Sequence, residues 1–140
     1  MKYEKSCGVV VFTKVNGEIR YLLISSLEGI YGFSKGHVEN DETETETALR
    51  EVYEETGLKV KLLDGFRTTD SYPLPKKPGT VKQNVYFLGT FEDQAFTYQR
   101  EELSGSWLVD YETAMGRFQF EGHKRILKEA NDYLLHLEDQ

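Results

Sequence analysis

Three glutamates, Glu51, Glu54 and Glu55, stand at i, i+3 and i+4, a spacing that sets carboxylates together on one side of a helix. Carboxylates gathered in this way repel one another unless a cation joins them. Their hard oxygen donors suit Mg2+ or Mn2+, and a chain with one cysteine and three histidines has little with which to build a zinc site. Arg50 lies beside Glu51 and four residues before Glu54, where it can orient a carboxylate without binding metal itself. The stretch from Glu39 to Glu55 holds eight acids against that single base. Elsewhere sixteen acids and sixteen bases cancel, so this one stretch carries the whole formal charge of −7.

Several elements must hold these residues in place. Ala48, Leu49, Val52 and Tyr53 recur at helical intervals, which predicts a helix from about Thr43 to Thr56, capped by Asp41 or Thr43 and stopped by Gly57 with Leu58 behind it. Ser6 to Lys14 and Arg20 to Ser26 read as strands joined by a tight turn at Asn16-Gly17, and both are too continuously apolar to be one-sided surface strands. Further strands are expected over Lys59 to Thr69, Thr80 to Phe91 and Trp107 to Val109, with the proline-rich stretch from Tyr72 to Gly79 as a loop. Ile126, Ala130, Tyr133, Leu134 and Leu137 predict an amphipathic helix over roughly Gly122 to Leu137.

A chain of 140 residues is near the usual size of one domain, so a single domain over 1–140 is expected. No apolar run is long enough to span a bilayer, and the start MKYEKSCGVVVF lacks the small-residue site of a cleaved signal, which makes the cytoplasm the expected location. Cys7 lies among apolar residues of a strand and reads as a buried structural thiol.

Read as one pattern, Gly36, Glu42, Arg50, Glu51, Val52, Glu54, Glu55, Gly57 and Leu58 fit G-x5-E-x7-R-E-U-x-E-E-x-G-U, with U an aliphatic residue. This resembles the Nudix box. A plain solvated acidic helix would account for the charge, but for neither the Arg-Glu order nor the glycine at each end. The resemblance implies an α/β/α sandwich around a mixed β-sheet, an α/β fold with the box as strand, loop and helix at its centre. It also implies that Glu51, Glu54 and Glu55, with the carbonyl of Lys35 or Gly36, hold the Mg2+ or Mn2+. Hydrolysis of a phosphoanhydride builds negative charge on phosphoryl oxygens and needs a proton acceptor for water. In the family that base is a box glutamate or one from a loop outside it, for which Glu101 or Glu102 ahead of Trp107 is the candidate, with Glu101 favoured.

Outside the box, Ser34-Lys35-Gly36-His37-Val38-Glu39, Ser71-Tyr72 and Lys77-Pro78-Gly79-Thr80-Val81 look like the asymmetric diadenosine tetraphosphate hydrolases of that family. The likeness assigns Lys35 and His37 to phosphate, Tyr72 to stacking on adenine, Lys77 and Lys82 to the polyphosphate, and Phe120 to a second stacking face, with Phe118 close by. Tyr31 stands where that subfamily has tryptophan, Ser34 where it has proline, and Gly79 where it has lysine. A small-molecule nucleotide is the expected partner, cut to ATP and AMP when it is diadenosine tetraphosphate. Nucleoside triphosphates and the 5′ end of RNA are alternative substrates, the latter opposed by an acidic chain without a basic stripe. A nucleotide-binding regulatory module without turnover is a further alternative.

Overall fold

The computed structural model describes residues 1–139. In chain order these form β1 (Lys2–Val15), β2 (Glu18–Ser26), β3 (Tyr31–Gly32), β4 (Ser34–His37), α1 (Glu44–Thr56), β5 (Lys61–Leu62), β6 (Thr68–Pro73), β7 (Thr80–Thr90), β8 (Leu103–Val109), α2 (Tyr111–Arg117) and α3 (Glu121–Glu138). The strands share one mixed sheet. Its axis is the parallel pairing of β1 with β7, in register from Lys2↔Thr80 to Phe12↔Thr90. On its other edge β1 pairs antiparallel with β4 near its start and with β2 near its end.

The β1–β2 turn is a two-residue hairpin with Asn16 at φ 52° and Gly17 at φ 81°, the left-handed pair whose twist matches the flanking strands. Alternation along β1 then divides the core. Cys7, Val9 and Val11 pack with Ala48 and Val52 of α1, while Val10 and Phe12 pack with Ala114 of α2 and Ile126, Leu127, Ala130 and Leu134 of α3. Helices therefore cover both faces of the sheet, the expected α/β/α sandwich, and each buried large aliphatic residue contributes roughly 1.5–3 kcal/mol. Cys7 is buried, as its apolar neighbours in sequence required.

Helix α1 begins at a capping box. The Thr43 hydroxyl accepts from Glu46 N at 3.2 Å, and the Glu46 carboxylate accepts from Thr43 N at 2.8 Å, so Thr43 rather than Asp41 is the cap. Gly57 closes it in the left-handed conformation at φ 78°, donating to Tyr53 O.

Three expectations are corrected. The strand expected over Lys59 to Thr69 is two short strands, β5 and β6, because the chain turns at Asp64-Gly65 with Gly65 at φ 88°. Tyr72 and Pro73 belong to β6 rather than to the loop, paired with Lys82 and Val81 of β7; Pro73 is tolerated there as the last residue of the strand, on an edge. Helix α2 was not anticipated, although Asp110 caps it by accepting from Thr113 N at 2.8 Å; at seven residues it is too short to show a helical period. Replacing Thr43 with Ala should cost about 1 kcal/mol, read as a lowered urea midpoint with unchanged slope.

Candidate active site

Between β4 and the first turn of α1 the acidic stretch is gathered on one guanidinium. Arg50 Nε and Nη2 donate to the two oxygens of Glu42 at 2.6 and 3.0 Å, Nη1 donates to Glu51 and Glu54 at 2.9 Å each, and Nη2 also donates to His37 O at 3.0 Å. One side chain thus fastens the helix to both ends of the preceding loop. Charge-assisted contacts of this bidentate kind are the stronger class, and the arginine is only 23% exposed, so solvent weakens them less than surface pairs. Glu42 completes the loop by accepting from Glu39 N at 3.0 Å and from the Thr47 hydroxyl at 2.9 Å.

The three box glutamates diverge from this centre. Glu51 lies against Gly36 so closely that any side chain at Gly36 would overlap its carboxylate, which explains the glycine at that position. Burial raises the Glu51 carboxyl above its ordinary range, with Arg50 opposing the shift and Glu54 and Glu102 adding to it. Glu54 is half-exposed. Glu55 turns the other way: its Oε1 accepts from the buried Ser34 hydroxyl and from Lys35 N, and burial pushes it up to about 7. Among the described residues no three acidic, imidazole or thiol groups stand close enough to ligate one ion as they are placed. The i, i+3, i+4 spacing does bring Glu51 and Glu54 to one cleft, but Arg50 stands between them.

That cleft, of about 400 Å³, is also lined by Lys35, His37, Lys82 and Glu102. Glu102, not Glu101, faces it; Glu101 is exposed in the turn before β8. Lys35 Nζ donates to Asn84 Oδ1 at 3.1 Å, and burial, seconded by Lys82, pushes it down to about 8. Lys82 is buried and donates to the Ser6 hydroxyl at 2.6 Å. It in turn lowers His37, which sits two strands away. Lys77 is not brought to the cleft; it pairs with Glu4 at 2.8 Å, in a separate groove.

Beside the cleft lies a larger and mainly apolar cavity of about 740 Å³, with Tyr72 of β6 and Phe120, the residue capping α3, in its walls. Both rings are accessible, 42% and 53% exposed, whereas Phe118 is buried in the core. The nearby pair is thereby separated, with Phe120 as the cavity residue. Lys35 lines both spaces and joins them. Asn84, Asp70, Ser34 and Ser6 were missed from the sequence. For β7 the signal was available, since Lys82, Asn84 and Tyr86 alternate onto one face.

Residues 2–130 match the NUDIX domain. The chain belongs to the NUDIX family. It is a Nudix hydrolase, of a family whose members generally use divalent metal ions. The asymmetrical bis(5′-nucleosyl)-tetraphosphatase of Rattus norvegicus is 34% identical over 143 aligned positions, covering 93% of this chain and 95% of that one. Among solved structures, a C. elegans Ap4A hydrolase binary complex superposes with a TM-score of 0.86 at 22% identity, over 95% of this chain and 98% of that chain. The E. coli dihydroneopterin triphosphate pyrophosphohydrolase superposes at 0.73 and 18% identity, over 92% and 97%. At those identities the two structures bear on the fold alone. No helix of the described residues is long and apolar enough to cross a membrane.

The Arg50 cluster has a signature in acid. Glu42, held by Arg50, and Glu44, held by Arg67 and Lys5, are both pulled down to about 2 from an ordinary value of 4.5. Folded values below the unfolded ones mean that this stabilisation is complete above about pH 4.5 and is lost as pH falls through about 2. The thermal midpoint of the protein should fall through that window, and Arg50→Met should flatten the fall; an equally steep fall in the variant would refute the assignment for Glu42.

Proposed function

We propose that the chain is a metal-dependent hydrolase of a phosphoanhydride in nucleoside polyphosphates, with diadenosine tetraphosphate cut to ATP and AMP as the favoured substrate. The observation that carries this reading is the join at Lys35 between an acidic cleft and a cavity sized for a base, with Tyr72 and Phe120 in its walls. Neighbouring spaces of these two kinds suit a substrate with a flat base at one end and a run of phosphates leading from it. The rat relative, an asymmetrical bis(5′-nucleosyl)-tetraphosphatase, supports the same reading.

Glu51, Glu54 and Glu55, with the Gly36 carbonyl, are hard oxygen donors and fit Mg2+ or Mn2+ by chemistry. Burial raises the carboxyls of Glu51 and Glu55, and a cation bound beside them would favour their charged forms. Held there, a divalent ion would supply screening of the negative charge that builds on the phosphoryl oxygens. Arg50 orients Glu51 and Glu54, and release of its Nη1 contacts frees their oxygens. Lys35, His37 and Lys82 supply donors to the phosphates. Glu102 takes the place first expected for Glu101 as the group that accepts a proton from the attacking water, with Glu51 as the box alternative. Lys77 acts only as the partner of Glu4.

Purified protein with Mg2+ should convert diadenosine tetraphosphate to ATP and AMP faster than it releases pyrophosphate from nucleoside triphosphates or triphosphorylated RNA, as resolved by ion-exchange chromatography. Faster turnover of a triphosphate or of RNA would keep the hydrolase and discard the substrate. Glu54→Gln should lower kcat by roughly 100-fold or more while leaving the thermal midpoint unchanged or higher, since it relieves repulsion among neighbouring acids. Near-native activity in that variant would sink the metal assignment. Tyr72→Ala should raise KM for adenine substrates by about tenfold, the effect of losing one stacked base, and an unchanged KM would show that β6 does not hold the base.

A further inference from the structure

The polar groups of the base cavity are not equally free. Ser26 Oγ accepts from Ile30 N at 3.2 Å, Asn84 Oδ1 accepts from Lys35 Nζ at 3.1 Å, and Glu55 Oε1 accepts from both Ser34 and Lys35 N. Glu121 sits at the exposed rim, 3.7 Å from Lys124. Two groups differ from these: His123, whose buried Nδ1 has no hydrogen-bond partner among the described residues, and Asp70, which is the acceptor of the two that is always open to a donor. No hydrogen bond reaches its carboxylate among the described residues, and the nearest cation, Arg125 Nη2, lies 3.8 Å away while donating to Thr69 O at 2.7 Å. Arg125 Nη1 is spent on Glu129, also at 2.7 Å.

Position makes that free acceptor useful. Asp70 precedes Tyr72 by two residues on β6, so both side chains leave the same face of the strand. Both line the cavity. On its far side the Asp70 carboxylate abuts the first turn of α3, where a methyl group at Gly122 would come within 2.9 Å of Oδ2. The missing side chain at Gly122 therefore leaves the acid its place in the wall that it shares with Tyr72 and Phe120.

We propose that Asp70 reads the exocyclic amine of the base held by Tyr72 and Phe120, so that the site takes adenine in preference to hypoxanthine. This inference rests on the nucleoside polyphosphate reading above and names the base it selects. An ionised carboxylate can only accept, and the adenine amine can only donate. Hypoxanthine turns a carbonyl oxygen to the same spot, and two acceptors facing each other once the base covers the wall leave both unpaired.

Calorimetric titration of the metal-free protein with ADP and with IDP tests this. Wild type should bind ADP at least about tenfold more tightly, the effect of one hydrogen bond to a charged group. Asp70→Ala should bring the ratio to about one, and Asp70→Asn, whose amide can donate to a carbonyl, should tip it toward IDP. A purely structural acid beside the start of α3 would shift the thermal midpoint of both variants and leave the ratio alone. Equal binding of the two nucleotides by wild type, binding of neither, or a ratio in Asp70→Ala unchanged from wild type overturns the inference. Turnover of diadenosine tetraphosphate by the same preparation judges the parent reading separately: ADP preference without that turnover would sink the substrate and leave the base assignment standing.

Discussion

The Arg50 guanidinium is the contact on which the site depends. Eight acids between Glu39 and Glu55 would push the loop after β4 away from α1 if nothing bound them together. Arg50 has five donors in a fixed plane, and it uses them on Glu42 at the end of the loop, Glu51 and Glu54 on the helix, and the His37 carbonyl at the end of β4. Lysine could not substitute, because a point charge cannot hold four partners in one plane. The positions of Glu51, of Gly36 beneath it and of the cleft itself follow from that plane.

Strand register extends the order from this contact to the rest of the molecule. Along β1 and β7 the same alternating face changes character from one end to the other. Val10 and Leu88 lie under α3 in the core, whereas Ser6 and Lys82 toward the strand starts are linked to each other at the cleft. Asn84, between these regions, is buried and holds Lys35. One pair of parallel strands therefore serves as core over half its length and as the floor of the site over the other half. A one-residue slip would exchange the two faces and remove both.

What the sequence made legible was local. A cap at Asp41 or Thr43, the Asn-Gly turn and the glycine stop of α1 each depend on a few residues of chain, and the structure holds them, with Thr43 as the cap. Long apolar runs on β1 and β2 likewise announced strands covered on both faces. Errors arose where a choice depends on distant partners. Glu101 and Glu102 are equivalent as neighbours in a turn, and only the direction in which β8 leaves that turn decides that Glu102 faces the cleft. Lys77 and Lys82 look alike as loop and strand lysines; Lys77 is claimed by Glu4, whereas Lys82 lies in register with that acid and bonds Ser6 instead. Charge composition alone could not separate them.

The box and the cavity are built by separate elements of the fold. Two solved structures at 22% and 18% identity share this architecture. On the proposed reading the box meets only phosphates, so discrimination among bases falls to elements that can vary without disturbing Arg50. On that reading those elements are the ones that wall the cavity: β6, with Asp70 and Tyr72, and the start of α3, with Phe120 and Gly122. Neither takes part in the hydrogen bonds of Arg50. Both sit at the margin of the sheet: β6 pairs with β7 alone, and its last three residues are exposed. A change of base at that margin therefore costs the core little, whereas a change at Glu51 or Gly36 would be felt through Arg50 by the whole loop.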